Sequence, residues 1–266
     1  MGVKFSLYRY QLLPIDRRDK NVEIIVQQKN HIFEELLPFF PKFIHENNKR
    51  LQTINACFPL DKEKILFTIE YFQNSNNDSS RRSNKKFRIF FWNNSSKQII
   101  AIEHCLQIYR NPSAFIKIID KEFSKELLKK NLAIYIEPIL DLTSFFKPEL
   151  VNNINELELE LITPNMANIS GALENFKKFA CDANAVSSKL SIKSNENSKL
   201  DITDTLGILI DYVKNGGGKI SVKVDKFKSK KTAKETVISF DQLDISMDSS
   251  VVIDQLVDKI KDSNIL

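Results

Sequence analysis

Apolar residues recur along the chain at two spacings, and each spacing predicts one kind of element. Alternation of apolar and polar positions, the period of a half-buried strand, runs through residues 3–13 and 219–228 and is strict at 156–162. Other stretches are rich in β-branched and aromatic residues and predict strands at 65–72, 86–93, 97–104, 132–138 and 189–194. Apolar residues three or four positions apart predict helices at 22–40, 112–130, 168–184, 203–214 and 251–261.

The order of these elements predicts an α+β fold, mainly antiparallel sheet with helices packed on one face. The predicted strands at 65–72 and 86–93 are joined by a long polar loop, which predicts a hairpin and thus antiparallel pairing. The segment Pro148–Asn155 is the best candidate for a boundary. We therefore expect an N-terminal α+β domain at 1–150 and a C-terminal α+β domain at 151–266 that carries a basic strand and loop.

Composition excludes several classes of protein. The chain has 266 residues, 42% hydrophobic and 27% charged, which is a globular composition. No run approaches the roughly 18 uncharged apolar residues that cross a bilayer, so we expect a cytoplasmic protein. Three cysteines and three histidines stand at no metal-binding or redox spacing. The sequence therefore predicts no disulfide framework, no metal, no cofactor and no catalytic residue.

A lysine-rich segment at 219–234 is the strongest functional feature. Seven lysines there meet one acid, Asp225, within a chain whose formal net charge is +5. The candidate DNA contacts in this segment are Lys219, Lys223, Lys226, Lys228, Lys230, Lys231 and Lys234. Long cationic side chains along one surface suit phosphate binding. The alternative is an edge strand that lysines protect against aggregation.

A second basic segment lies at 81–88, at the expected tip of a hairpin. The candidate DNA contacts in this segment are Arg81, Arg82, Lys85, Lys86 and Arg88. Arginine can bind phosphates or guanine edges, but a solvated hairpin tip explains the segment equally well. The neighbouring aromatics Phe87, Phe90, Phe91 and Trp92 would suit base stacking, although alternation assigns at least half of them to a core.

Two further patterns have simple structural explanations. Glu156, Glu158 and Glu160 share one strand face, which would suit a metal-dependent nuclease, yet a solvated strand face explains them better. The glycines at 216–218 follow a predicted helix, so they indicate the end of that helix and not a phosphate-binding loop.

Several stretches, in order, resemble the RexA-like phage-exclusion proteins of temperate phages and related defence proteins. KEKILFTIE at 62–70 is similar to an early Phe-rich strand of that family, and residues 88–119 resemble its strand, turn, strand and helix. NLAIYIEPIL at 131–140 is similar to an Ile-Glu-Pro-Leu segment there. KISVKVDKFKSKKTAKE at 219–235 resembles an apolar strand that runs into a Lys-Phe-Lys basic tail.

The resemblance implies a homodimer that binds double-stranded DNA with little sequence preference. It also implies that the protein senses replication or repair complexes of an infecting phage and signals to a membrane pore-forming partner. Carried over to the matching basic strand, it supports Lys223, Lys226 and Lys228 as DNA contacts. The basic tip at 81–88 has no counterpart in the family and rests on its own charge.

Together these observations lead to the hypothesis of a non-enzymatic, sequence-tolerant DNA-binding protein of a phage-exclusion or antiphage defence system. One alternative is a metal-dependent nuclease, for which Glu158→Gln would abolish cleavage. Another is a protein-binding adaptor or inhibitor whose basic loops bind an acidic protein.

Overall fold

The structure is a computed structural model of the whole chain. It describes residues 2–16, 20–59, 62–72, 85–94, 98–109, 111–143, 147, 153–163, 171–195, 198–224, 231–241, 243 and 247–263. The described strands and helices form an α+β fold with antiparallel sheets, which confirms the predicted fold class.

The elements are numbered in chain order. The strands are β1 Val3–Pro14, β2 Leu51–Cys57, β3 Lys64–Tyr71, β4 Lys85–Asn93, β5 Gln98–Glu103, β6 Leu132–Pro138, β7 Leu140–Asp141, β8 Ile154–Ile162, β9 Ser187–Lys193, β10 Gly218–Val224, β11 Lys231–Thr232, β12 Lys234–Glu235 and β13 Val237–Phe240. The α-helices are α1 Val22–Leu36, α2 Phe40–Asn47, α3 Pro112–Leu128, α4 Ala172–Asp182, α5 Asp204–Tyr212 and α6 Ser249–Asp262. A 3₁₀ turn, Leu37–Phe39, joins α1 to α2, and a π-helical turn, Val213–Gly217, follows α5.

The chain divides into two compact units. One contains residues 1–15, 19–136 and 237–266, and the other contains 16–18 and 137–236. This division differs from the predicted domains 1–150 and 151–266, because the C-terminal segment returns to the first unit. Strand β13 pairs antiparallel with the beginning of β1, matching Phe5 with Ile238. A sequence boundary cannot anticipate such a return, since the pairing joins the two ends of the chain.

The first unit contains a seven-stranded sheet. Six of its strands lie in the order β13-β1-β5-β4-β3-β2, and β6 also pairs with β1. Helices α1, α2 and α3 contribute to an aromatic core on one face of this sheet. The Phe40 ring lies 4.9 Å from the Phe67 ring and 5.1 Å from the Phe91 ring, centroid to centroid. Phe33 and Phe123, one from each of two helices, are 4.9 Å apart. Burial of each such side chain contributes about 1.5–3 kcal/mol.

The opposite face of the same sheet is also buried. All six residues of β5 are buried, and so are Leu66, Phe90 and Trp92, which alternate with the residues of the aromatic core. Helix α6 contacts β3 and buries an apolar stripe of its own. Burial on both faces departs from the prediction of helices on one face only.

Two local features of the first unit departed from the sequence pattern. The helix predicted at 22–40 ends at Leu36, and a new helix continues through Pro41 to Asn47, because proline is tolerated in the first turn of a helix. Strand β2 was not predicted, since its register with β3 shifts between Thr53 and Asn55 and this irregularity breaks the alternation.

The second unit contains a four-stranded sheet in the order β11-β10-β8-β9. Leu157, Leu159 and Leu161 of the central strand β8 are buried, as the alternation predicted. They form a core with apolar residues of β10 and of helix α5. The other face of this sheet carries the glutamates of β8 and the lysines of its two neighbours, and it holds the candidate site.

Candidate nucleic-acid interface

The glycines at 216–218 set the start of the basic strand β10. They follow α5 and lead into the strand, as predicted. Gly218 has a φ of 150°, and a Cβ at this position would overlap the backbone carbonyl oxygen of Glu160. Only glycine allows β10 to approach β8 this closely. The register of the lysines against the glutamates of β8 therefore begins at this residue.

Strand β10 alternates as the sequence predicted. Ile220, Val222 and Val224 are buried, and Lys219 and Lys223 are exposed. Both candidate contacts on the strand itself therefore lie at the surface. Their cross-strand partners on β8 are acidic, because Lys219 pairs in register with Glu160 and Lys223 with Glu156.

Strand β9 places a second pair of lysines on the other side of β8. Lys189 lies opposite Glu160 and Lys193 opposite Glu156. The Lys193 Nζ is 3.8 Å from Glu156 Oε1, and Lys189 forms an ion pair with Glu158. Sequence analysis missed these lysines, although the alternation of SSKLSIK at 187–193 was the signal that would have found them.

A fourth carboxylate, from the end of β6, joins this surface. The Glu137 Oε1 lies 3.3 Å from the Nζ of Lys219. Burial raises the pKa of Glu137, and the neighbouring Glu160 raises it further, while Lys219 opposes the shift. Glu137 precedes Lys219 by 82 residues in the sequence, so no local pattern could have linked the two.

We call this surface the charged face. It consists of Lys189, Lys193, Lys219, Lys223, Glu137, Glu156, Glu158 and Glu160. Four positive and four negative charges balance, so the face carries no net charge at neutral pH. The basic strand is thus not a basic surface along its whole length.

The excess of lysine follows the charged face in sequence. Val224 pairs with Ile154, so β8 presents no glutamate beyond Glu156 in that direction. Strand β11 returns beside β10, pairing Lys231 with Val222. We call residues 225–234 the hairpin segment, and it contains five lysines and one aspartate. Lys226, Lys228 and Lys230 lie outside the described residues.

Lys234, the last lysine of the hairpin segment, is exposed and pairs in register with Asp141. The pKa of Asp141 is lowered, chiefly by hydrogen bonds from the side chain and backbone of Thr143 and further by Lys234. Lys234 therefore has an acidic neighbour and is a weaker candidate for phosphate contact than the other lysines of the segment.

The second basic segment contributes little surface charge in the part that the structure describes. Arg81 and Arg82 lie outside the described residues. Lys85 and Lys86 begin β4 and are half-buried, and the Lys86 Nζ lies 3.9 Å from Glu70 Oε1.

Arg88 is a buried structural residue, which corrects its prediction as a DNA contact. Its side chain is only 3% exposed. The Nε donates a hydrogen bond of 2.7 Å to Glu103 Oε2, and the Arg88 backbone N–H donates one of 3.0 Å to the same oxygen. Its guanidinium also lies over the Phe5 ring, 5.9 Å from the centroid. A guanidinium held in this way cannot reach a phosphate.

The aromatic residues beside that segment belong to the interior. Phe87, Phe90 and Phe91 are fully buried, and Trp92 is 3% exposed. The base-stacking interpretation of these four side chains is therefore wrong. Both faces of β4 are covered, so the alternation of the strand sends none of them to the surface.

Within the described residues, no group of three or more His, Cys, Asp or Glu side chains has an arrangement that could hold a metal ion. Cys57, Cys105 and Cys181 are free thiols. No described helix combines the length and apolarity that crossing a membrane requires.

Comparison with known proteins adds no relative. No protein-family model matches the chain, and no curated protein matches it. The geometry of the charged face and the charge of the hairpin segment therefore carry the functional argument.

Proposed function

We propose that the protein binds double-stranded DNA with little sequence preference, through phosphate contacts made by the lysines of the hairpin segment. The carrying observation is a change in charge balance along the chain. Glutamates match the lysines of the charged face, whereas the hairpin segment, which follows β10 in sequence, has an excess of four positive charges. This excess gives a polyanion one region of positive potential to approach.

Lysine chemistry supports binding without sequence preference. An ammonium group is a compact point charge on a flexible stem, which suits contact with phosphate more than bidentate recognition of a base. Each neutralised phosphate releases condensed counterions, so affinity should fall steeply with salt. Lys226, Lys228, Lys230 and Lys231 are the proposed main contacts, and Lys223 stands at the junction with the charged face.

The biological setting is part of the proposal and rests on the resemblance described above. We propose a non-enzymatic, cytoplasmic component of a phage-exclusion or antiphage defence system. In this setting the protein acts as a homodimer, and its DNA-bound state signals to a membrane pore-forming partner.

The test compares two variants of equal net charge. In the first, Lys226, Lys228, Lys230 and Lys231 are changed to Gln. In the second, four exposed lysines of the first unit are changed to Gln, namely Lys42, Lys117, Lys129 and Lys130. Fluorescence anisotropy of a labelled 30-base-pair duplex reports affinity at about 50 and 200 mM salt.

We expect the hairpin variant to bind more weakly on every sequence tested and its salt slope to fall by about 3–4, roughly one per lost contact. The control variant should keep most of the affinity. Unchanged affinity of the hairpin variant would contradict the site. Equal losses in both variants would show a dependence on net charge alone.

The same assay separates the two rival functions. Cleavage of the duplex with magnesium, abolished by Glu158→Gln, would favour the nuclease. A complete lack of binding at about 50 mM salt would favour the adaptor, with an acidic protein as the partner of the hairpin segment.

A further inference from the structure

We propose that Glu156, Glu158 and Glu160 keep DNA from binding to the charged face, and that removing their charge converts this face into a phosphate-binding surface. This inference rests on the proposed function. It assigns a role in DNA binding to three carboxylates that would otherwise be explained as a solvated strand face.

The layering of the charged face is the first observation. The side chains of Lys189, Lys193 and Lys219 are 60–68% exposed, whereas those of Glu156 and Glu158 are only 13–14% exposed. The ammonium groups therefore form the outer layer above the carboxylates of Glu156 and Glu158, while Glu160 is itself exposed between Lys189 and Lys219. A phosphate arriving at this face would meet lysines that are sterically accessible and already matched by glutamates.

The register is the second observation. Strand β8 lies between β9 and β10, so lysines flank its glutamates on both sides. Lys193 and Lys223 lie on either side of Glu156. Lys189 and Lys219 lie on either side of Glu160. Neighbouring strands lie about 4.8 Å apart, so the two lysine rows are separated by roughly 10 Å. This is about one Debye length at 0.1 M salt. A phosphate near either row therefore experiences the repulsion of the glutamates between them.

The charge balance of this face determines its response to a polyanion. Attraction of phosphates by the four lysines is opposed by the four carboxylates, so the face offers no net attraction. The wild-type charged face should therefore contribute little to DNA binding.

The experiment neutralises the glutamate row. In one variant Glu156, Glu158 and Glu160 are changed to Gln. The matched control changes Glu23, Glu126 and Glu174, which lie on helices, to Gln and adds the same net charge. Anisotropy of the labelled 30-base-pair duplex at about 50 and 200 mM salt is the readout, with circular dichroism as the check on folding.

We expect the triple variant to bind about tenfold more tightly at 50 mM salt and its salt slope to steepen by about 1–2, as expected for one or two added phosphate contacts. The control should change affinity by less than about threefold. Adding Lys189→Gln and Lys193→Gln to the triple variant should remove the gain, whereas the same two changes in the wild-type protein should have no effect.

The outcomes distinguish this inference from the proposed function. If the wild-type protein binds and the triple variant binds no better than the control, the inference is overturned and the hairpin site stands. If only the triple variant binds, exclusion of DNA from the charged face is supported and the hairpin site is contradicted. If neither binds, both are overturned. Should the triple variant misfold, Glu158→Gln alone is compared with Glu174→Gln alone, and it is expected to bind about two- to threefold more tightly than that control. Equal affinity of the two single variants would overturn the inference.

Discussion

Substitution of Arg88, whose side chain is only 3% exposed, tests the interior of the first unit. In the structure it is the buried partner of Glu103, with Nε and Oε2 only 2.7 Å apart. Removing one member of a buried ion pair leaves the other charge without compensation, which costs about 3–5 kcal/mol. We therefore expect Arg88→Met to lower the free energy of unfolding by this amount, a large fraction of the roughly 5–15 kcal/mol of a typical domain.

A double variant makes the test specific. Arg88→Met combined with Glu103→Leu removes both charges and replaces them with side chains of similar volume, so we expect it to recover most of the loss. Urea unfolding followed by circular dichroism measures both effects. The double variant should also bind DNA as tightly as the wild-type protein. A loss below about 1 kcal/mol in Arg88→Met, or a loss of DNA affinity in the folded double variant, would refute the assignment of Arg88 to the interior.

Three further predictions concern the fold and the charged face. Gly218→Ala should lower the free energy of unfolding in urea by at least about 2 kcal/mol, because the φ of Gly218 is positive and an added Cβ would overlap the Glu160 carbonyl. The control Gly207→Ala, on α5 with open space around it, should be neutral or stabilising. Phe40→Ala should cost about 3–5 kcal/mol, measured by thermal unfolding, and a loss below about 1 kcal/mol would contradict the aromatic core. Burial raises the pKa of the Glu137 carboxyl above its unfolded value. The folded state therefore holds the carboxyl proton more tightly, and the free energy of unfolding falls as pH rises from the unfolded pKa through the folded pKa. Glu137→Gln should therefore gain stability relative to the wild-type protein between about pH 4 and pH 7, and an equal difference at both pH values would refute this.

Periodicity was a good guide wherever one pattern decided the structure. Strand β6 occupies the predicted residues 132–138, and α3 begins at the predicted Pro112, with the Asn111 side chain accepting a hydrogen bond from the Ser113 backbone N–H. The strict alternation of β8 and β10 also fixed which residues are buried. In these segments local propensity and burial agree, so a single sequence carries enough information.

Charge was a weaker guide, because the partner of a charged side chain is set by topology. Lys219 was predicted as a DNA contact from the lysines near it in sequence, yet its nearest carboxylate belongs to Glu137. Arg88 stood in a run of basic residues but pairs with Glu103 across the sheet. Both acidic partners come from other strands, and only the strand order brings them together. The distinction between the charged face and the hairpin segment was therefore beyond sequence analysis.

The most direct test of the account is the salt dependence of DNA binding by the wild-type protein. Anisotropy of the labelled 30-base-pair duplex would be measured from about 50 to 200 mM salt, with and without magnesium. The account predicts binding that is indifferent to sequence, no cleavage, and a logarithmic salt slope near −4, as expected for about four phosphate contacts. Absence of binding at the lowest salt, or an affinity that does not change with salt, would contradict it.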